Sequence, residues 1–411
     1  MKLFVTILEE TCDAAVAAIR ALPPHHDGVE VRAEKFASID LQAIRAATEK
    51  ELILTYRGVR APDVRRALAA GIDYVDVEWH EGVAIDVPER TILSHHDYEG
   101  MRDVDLIFER MRARRCAYTK VAATPLSFDD NLRLLALLPG TVIGMGERGL
   151  YSRILAPFKG SELAFVAATN IAAPGQLTLE RALEIYGRHP VAPRKVFAVA
   201  GNPAGHSLSP VIHNRLFREK GVAAAYTIAS VDRFSELTDA FLAGEPAGLS
   251  VTAPFKDDAY AFARARNFEM AENALRARAV NTLVHLGDRI LADNTDVDGF
   301  AALLPRDATK AAVVGAGGTA RAALVALENA GIPATTYNRT AAKADAPLEA
   351  LADFDGDLIV NTLPAGAEVA LPPSRFLIEA AYGGGRTGGL ELLHAQAIRQ
   401  HELFMKVFDG L

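Results

Sequence analysis

The 411-residue sequence predicts an α/β protein in two parts: an N-terminal (β/α)8 barrel, then a second α/β unit containing a Rossmann-type dinucleotide-binding subdomain. Three observations carry this prediction. Eight short β-branched runs alternate with segments of helical period up to about residue 188, the rhythm of a closed parallel barrel. Residues 189–194 then form a polar, proline-bearing stretch that reads as a linker. From Lys195 strands and helices alternate again, and residues 315–320 form a glycine-rich strand-to-helix turn. The length agrees, because one core rarely grows past roughly 250 residues. The expected layout is a barrel over 1–189, a linker at 190–194, a substrate-binding subdomain at 195–300, a cofactor-binding subdomain at 301–387, and a C-terminal helix at 388–411 returning to the substrate subdomain.

Composition removes several classes of function. Half the residues are hydrophobic, enough to offset the entropy of ordering the chain, so disorder is excluded as the dominant state. No apolar run reaches the roughly 18 residues a membrane helix needs. Residues 1–7 enter a strand pattern without a basic or apolar leader, and a cytoplasmic location is expected. Cys12 and Cys116 are too few for a disulfide framework or a zinc site, so no metal is expected. A net charge of -8 argues against nucleic acid, and an anionic ligand must be met by locally placed Arg and Lys.

The barrel strands are expected at 2–7, 28–34, 51–57, 74–79, 91–97, 117–122, 141–146 and 162–169. Between Trp79 and Thr91 there is room for little more than a turn, so the fourth helix is vestigial. Reactive side chains of such barrels sit at the C-terminal strand ends, where this sequence puts its polar residues. Glu30, Arg32 and Glu34 alternate on the second strand, Arg57 ends the third, and Asp76 and Glu78 alternate on the fourth. His95 and His96 close the fifth, Lys120 interrupts the sixth, Arg153 follows the seventh, and Gln176 follows the eighth. A lysine in an apolar strand is costly to bury as a cation, which favours the neutral amine, a nucleophile for ketones. A histidine one strand away can shuttle protons. Singly, each residue also fits a salt-bridged or snorkelling role. Five strand ends each offering a titratable group exceed what a core needs.

These residues resemble type I 3-dehydroquinate dehydratase. The likeness rests on Val29-Glu30-Val31-Arg32-Ala33-Glu34, Thr55-Tyr56-Arg57, Ser94-His95-His96-Asp97-Tyr98, Thr119-Lys120-Val121-Ala122, Gly144-Met145-Gly146 leading to Ser152-Arg153, and Ala173-Pro174-Gly175-Gln176. It implies that Lys120 forms a Schiff base with the ketone of 3-dehydroquinate and that His96 is the general base. It also implies that Arg153 clamps the substrate carboxylate while Glu30, Arg32, Arg57 and Gln176 complete the binding set. Two departures stand out. The family's acid in an E-G-G run after the third-strand arginine is absent from Arg57-Gly58-Val59-Arg60-Ala61-Pro62, leaving Glu78 or Glu34 to orient His96. The serine before A-P-G-Q is here Ala172. Since the whole catalytic set lies between residues 30 and 176, a chain ending near Pro193 is expected to fold and keep this activity.

In the second half, Gly315-Ala316-Gly317-Gly318-Thr319-Ala320 is the G-x-G-x-x-A form of the dinucleotide fingerprint. About 20 residues on, where an NAD enzyme places an acid, the chain has Asn338-Arg339-Thr340, which suits a 2′-phosphate and hence NADP. Ser207 and Ser209 offer hydroxyls to a polyol, and they also fit helix caps. Lys256 and Asp296 form a pair suited to moving a proton in step with a hydride.

Together these pieces resemble shikimate dehydrogenase, through Gly201-Asn202-Pro203 to His213-Asn214, Val251-Thr252-Ala253-Pro254-Phe255-Lys256, Ala279-Val280-Asn281-Thr282 and Asn294-Thr295-Asp296. The likeness implies that Lys256 and Asp296 are catalytic and that Ser207, Ser209, Thr252, Asn281, Tyr382 and Gln396 bind substrate. The order of the halves matches fused dehydratase and dehydrogenase enzymes. The chain is shorter than that family after Arg339 and after Tyr382, with Asn361-Thr362-Leu363-Pro364-Ala365-Gly366 in place of N-A-T-S-x-G and Gly383-Gly384-Gly385 where a proline is usual. The expected activity is dehydration of 3-dehydroquinate to 3-dehydroshikimate and NADPH-dependent reduction of that to shikimate. Two other readings stay open: a dehydratase with a weakened or quinate-directed reductase half, and a non-catalytic sensor of these intermediates.

Overall fold

In the computed structural model residues 1–57, 64–168, 175–382 and 388–409 are described, so Gly58 to Pro62, Ala172 to Pro174 and Gly383 to Gly385 of the motifs above lie outside the described residues. The chain divides by its contacts into two compact units, residues 1–196 with 203–231, and residues 197–202 with 232–411. Among the described residues no helix is long and apolar enough to cross a membrane.

The first unit contains eight parallel strands: β1 (Lys2–Ile7), β2 (Gly28–Arg32), β3 (Glu51–Thr55), β4 (Tyr74–Glu78), β5 (Thr91–Asp97), β6 (Tyr118–Ala123), β7 (Thr141–Gly144) and β8 (Leu163–Ala167). Hydrogen-bonded neighbours run β7-β6-β5-β4-β3-β2-β1-β8. Across the remaining seam, Leu163 N donates to Thr141 Oγ1 at 3.2 Å. A 3-10 turn, Pro88–Arg90, stands where the fourth helix would be. β2 stops two residues early because the chain turns there, Phe36 N donating to Ala33 O at 3.1 Å.

Period-two alternation sorts the barrel interior into levels. Phe4, Ile53, Ile92, Leu163 and Phe165 pack as an apolar floor. One step along the strands, register pairs Thr6 with Glu30, Thr55 with Asp76, and Ser94 with Lys120, which sets a polar layer at one height. Arg57, Glu78 and His96 follow toward the strand ends.

The helix Leu150–Phe158 is buried at every residue. Its start lies against the end of β7: a Cβ on Gly144 would meet Gly149 O at 2.3 Å, so both glycines are needed for the approach. A ninth and a tenth strand follow, β9 (Lys195–Gly201) and β10 (Ala224–Ser230). β10 packs on that helix, and Thr227 Oγ1 donates to Tyr151 O at 3.1 Å. Arg218, on the helix Ser209–Glu219, donates to Ile185 O at 2.5 Å and Glu184 O at 2.7 Å.

In the second unit β9, β11 (Gly248–Val251), β13 (Thr282–Leu286), β14 (Arg289–Asp293) and β12 (Glu269–Met270) lie side by side in that order. A separate parallel sheet has the order β17-β16-β15-β18-β19, from β15 (Ala311–Val314), β16 (Ala334–Asn338), β17 (Ala346–Pro347), β18 (Leu358–Asn361) and β19 (Phe376–Glu379). Ala311, Val313 and Val360 face one core and Ala312, Val314 and Ile359 the other, as expected of a doubly covered sheet. The C-terminal helix Gly389–Met405 packs on the helix Asp296–Leu303. A Cβ on Gly299 would come within 2.9 Å of Gln396 Cβ, so this contact requires glycine.

Cutting the chain after Pro193 removes β10 and the helix Ser209–Glu219 and uncovers the apolar helix Leu150–Phe158. Each large apolar side chain returned to water costs about 1.5–3 kcal/mol, so several of them approach the whole stability of a domain. On this packing the truncated barrel is expected to melt about 10 °C or more below the full chain. Trp79, the single tryptophan, reports that transition by fluorescence; an unchanged midpoint would show a self-sufficient barrel.

Candidate active sites

The polar layer of the barrel is built around Lys120, which is 3% exposed. Its Nζ lies 3.0 Å from Asp76 Oδ2, 3.6 Å from Glu30 Oε1, and 4.1 Å from the centre of the Phe165 ring. The surroundings are therefore not apolar, as the strand pattern implied: two buried carboxylates face the amine. Burial works against charge on Asp76, but Lys120 and Arg57 outweigh it and hold its carboxyl well below the usual range. Glu30 is lowered in the same way, burial being overcome by Lys120 and then Arg32. Hydroxyls satisfy the remaining oxygens. Ser94 Oγ donates to Asp76 at 2.6 Å, while Thr6 and Thr55 donate to Glu30 at 2.8 and 2.9 Å. Gln176 Nε2 donates to Thr6 Oγ1 at 3.3 Å.

His96 is gripped by Glu78, of the neighbouring strand β4. Its backbone N donates to Glu78 Oε1 at 2.9 Å, and Nδ1 is 2.9 Å from Glu78 Oε2. Arg57 NH1 is also 2.9 Å from Nδ1 and pairs with Glu78. Nδ1 thus faces both an acceptor, the Glu78 carboxylate, and a donor, the Arg57 guanidinium; with its proton on Nδ1 the ring bonds Glu78 and keeps Nε2 as its basic nitrogen. Burial pushes the His96 pKa below its ordinary value, Glu78 opposes this, and Arg57 and Lys120 add to it. Of the two carboxylates the sequence offers, Glu78 is thus the one that faces His96. Glu34, the other candidate, is engaged by Arg32 at 2.5 Å instead. Arg32 Nε has no partner among the described residues.

Arg153 has different surroundings. With Pro157, Phe165 and Tyr186 it lines a cavity of about 20 Å³. Burial pushes its pKa down to about 10, with Tyr186 as the opposing influence.

In the second unit Lys256 begins the helix Lys256–Ala265, and its Nζ donates to Asp296 Oδ2 at 2.5 Å and Thr319 Oγ1 at 2.9 Å. The other carboxylate oxygen of Asp296 accepts from Asn281 Nδ2 at 2.9 Å. Asn281 Oδ1 accepts from Thr295 N at 2.8 Å and Thr282 Oγ1 at 2.8 Å. Two glutamines of the C-terminal helix join in: Gln396 Oε1 accepts from Thr295 Oγ1 at 3.2 Å, and Gln400 Nε2 donates to Thr282 Oγ1 at 2.8 Å. Thr252 is half-buried, with its N bonded to Ala200 O at 2.9 Å. Tyr382 is half-buried beside Gly389, whose absent Cβ admits its backbone.

Residues 315–320 turn from β15 into the helix Gly318–Asn329. Gly315 has φ +116°, and a Cβ there would strike Thr362 Oγ1 at 2.4 Å, whereas a Cβ on Gly317 would meet nothing within 4 Å. The helix N-terminus at Gly317 therefore faces open space, as a pyrophosphate requires. Arg339 and Thr340 are exposed just beyond β16, where Asn338 Nδ2 donates to Thr340 O at 3.3 Å. Ser207 and Ser209 belong to the first unit; Ser209 starts its helix, and its N donates to Ser207 Oγ at 3.2 Å.

The structure thus joins Lys120, Glu30, Arg57 and His96 in one barrel cluster, and Lys256, Asp296, Asn281, Gln396 and Thr319 in another network. The sequence marks Asp76 as a polar strand-end residue without giving it a role, and it does not mark Ser94, Thr295 or Gln400 as site residues.

Residues 3–189 match the family model of type I 3-dehydroquinase, and residues 199–283 that of the shikimate dehydrogenase substrate binding domain. The chloroplastic bifunctional 3-dehydroquinate dehydratase/shikimate dehydrogenase of Arabidopsis thaliana is 27% identical over 417 residues, 83% of this chain and 68% of that protein. The shikimate biosynthesis protein AroDE of Chlamydia pneumoniae is 30% identical over 365 residues, 78% of this chain and 74% of that one. This chain spans only 23% of the pentafunctional AROM polypeptide of Zygosaccharomyces rouxii, at 30% identity. A shikimate 5-dehydrogenase of Thermus thermophilus, solved in complex with NADP(H) and shikimate, is 26% identical over 53% of this chain and 94% of that one, with a TM-score of 0.44. Two family models in the order of the fused enzymes, and a two-part relative matched along most of its length, lead to one assignment: the chain belongs to the bifunctional type I 3-dehydroquinate dehydratase/shikimate dehydrogenase family, a lyase joined to an oxidoreductase.

Proposed function

We propose that Lys120 and His96 carry the dehydration of 3-dehydroquinate, and that Lys256 and Asp296 carry the NADPH-dependent reduction of 3-dehydroshikimate. The observation that supports the first assignment most strongly is a buried amine in the same polar cluster as an imidazole that Glu78 holds at both its backbone N and its Nδ1. Lys120 Nζ attacks the ketone carbon and the carbonyl oxygen leaves as water, giving an iminium. The iminium acidifies the neighbouring C–H, and His96 Nε2 takes that proton. The same imidazolium returns it to the departing hydroxyl, which leaves as the second water. Hydrolysis of the iminium then frees Lys120. Arg57, Arg32 and Gln176 are the proposed ligands of substrate hydroxyls or carboxylate at this level, and Arg153 keeps the carboxylate role that the family resemblance gives it.

For the second reaction the dinucleotide, when bound, supplies the hydride. Lys256 Nζ gives a proton to the substrate oxygen as it becomes a hydroxyl, and Asp296, 2.5 Å away, holds the ammonium in place. Asn281 fixes the other carboxylate oxygen so that Asp296 cannot swing. Residues 315–320 are the proposed pyrophosphate cradle, and Arg339 with Thr340 the 2′-phosphate ligands. An arginine with no carboxylate in the preceding strand-end position favours NADP over NAD.

Four experiments test these roles. Borohydride added with 3-dehydroquinate should trap substrate mass on the peptide containing Lys120; mass on another lysine would remove the assignment. His96→Ala should leave trapping intact and slow dehydration about 100-fold or more.

The acid limb of the dehydratase pH–rate profile should lie below the ordinary histidine value, because burial lowers the His96 pKa. Glu78 raises it, so Glu78→Gln, which keeps an acceptor but removes the charge, should move that limb to still lower pH. A limb that stays in place would mean that Glu78 does not face the working histidine.

Arg339→Ala should remove a charge-assisted contact of roughly 1.5–3 kcal/mol and weaken NADPH about 10- to 100-fold while leaving NADH nearly unchanged. Equal use of NADPH and NADH by the unaltered chain would overturn the NADP assignment.

A further inference from the structure

We propose that Glu147, on the barrel segment after β7, is a positioning residue for the second reaction: it holds the turn that presents the hydroxyls of Ser207 and Ser209. This rests on the reading that these serines bind the dehydrogenase substrate. Glu147 follows the motif that leads to Arg153, and nothing in dehydration calls for it. Its Oε1 accepts three hydrogen bonds from residues distant in sequence: Ala204 N at 2.7 Å, Gly205 N at 2.9 Å and Ser230 Oγ at 3.2 Å.

Those contacts lead through the turn to Ser207 and to the backbone of Ser209. Ala204 is fully buried, and its carbonyl accepts from Ser207 N at 2.9 Å. Ser207 Oγ in turn accepts from Ser209 N at 3.2 Å, at the start of the helix Ser209–Glu219. One carboxylate oxygen therefore anchors the first residue of a turn whose bonds run on to the Ser207 hydroxyl and to the backbone N of Ser209, from which the Ser209 side chain projects. Gly205 permits the approach, since a Cβ there would lie 3.2 Å from Leu150 Cδ1 and 3.4 Å from Glu147 Oε1. The anchor is itself fixed, because Leu150 opens the wholly buried helix Leu150–Phe158 and Thr227 of β10 bonds to that helix's backbone. A ligand hydroxyl misplaced by a fraction of an ångström loses binding, and two backbone N–H donors on a charged acceptor give the turn the stiffness to avoid that.

The test uses the full chain, with 3-dehydroshikimate reduction followed at saturating NADPH and shikimate binding measured by calorimetric titration. Glu147→Ala should raise the KM for 3-dehydroshikimate and the Kd for shikimate about tenfold, the scale of a lost charge-assisted contact. The kcat should stay within about twofold, as expected when only uniform binding is lost. Dehydratase kcat/KM should not change, and the few degrees by which the lost bonds lower the Trp79 melting midpoint should leave the chain fully folded at the assay temperature. Glu147→Gln, whose amide oxygen accepts the same bonds, should recover most of the loss. Ser207→Ala and Ser209→Ala run beside it. If they leave KM and Kd unchanged, the substrate role of the serines fails and the proposal with it. If they weaken binding and Glu147→Ala does not, the positioning role alone is overturned. A loss shared by both reactions, with melting already under way at the assay temperature, would make Glu147 a structural tie and would also overturn it.

Discussion

A lysine buried at the middle of a parallel barrel must be matched by anions at its own height, and much of the first unit follows from that requirement. Moving an ammonium out of water costs several kcal/mol, which only well-placed partners repay. Asp76 and Glu30 supply the charge at 3.0 and 3.6 Å, but each is then a buried carboxylate with lone pairs to satisfy. Ser94, Thr6 and Thr55 donate to those oxygens, and Arg57 lies 3.5 Å from Asp76 Oδ1. Inward-facing polar residues on β1 through β6 are thus one linked set. Deleting any one charge leaves another buried and uncompensated, a loss of about 3–5 kcal/mol, so the same bonds that hold Lys120 in place also restrict what can change around it.

The second unit positions its lysine with amides more than with charge. Asp296 takes Lys256 on one oxygen and Asn281 on the other, and Asn281 is locked by Thr295 and Thr282. Gln396 and Gln400 reach this network from the C-terminal helix, while Thr319 reaches Lys256 from the cofactor turn. Five segments far apart in sequence meet within one chain of hydrogen bonds. The close approach at Gly299 is therefore what lets the C-terminal helix bring Gln396 to this network, although Gly299 carries no functional group.

How much of this is legible in the sequence follows from how local each signal is. Strand positions are, because β-branched runs bounded by turn residues are local; the second strand reads too long because a turn at Ala33 to Phe36 breaks an alternation that continues in sequence. Lys120 stands out as a titratable group in an apolar run, and His96 as one at a strand end. The hold of Asp76 on Lys120 does not, since it depends on register across β4, β5 and β6, and register is not written in any one strand. Glu78 and Glu34 are equal candidates for His96 by sequence. Glu78 meets it because β4 and β5 are hydrogen-bonded neighbours, whereas Glu34 lies past the end of β2 against Arg32. Glu147 gives no signal at all, its partners being 57, 58 and 83 residues away.

One long-range feature is nevertheless written in a short segment. A barrel helix with a solvent-facing side should be amphipathic, and the helix Val104–Arg112 is: Asp105, Glu109, Arg110 and Arg112 are exposed while Val104, Phe108 and Met111 are buried. The helix Leu150–Phe158, with sequence LYSRILAPF, has no such polar face, and every residue of it is buried. A helix that is apolar all round needs cover on its outer side as well as on the barrel side. Here β10 supplies that cover, tied by Thr227 to the helix backbone. The barrel's own sequence thus already requires the segment that follows it, and the helix that carries Arg153 belongs to the fused chain as a whole.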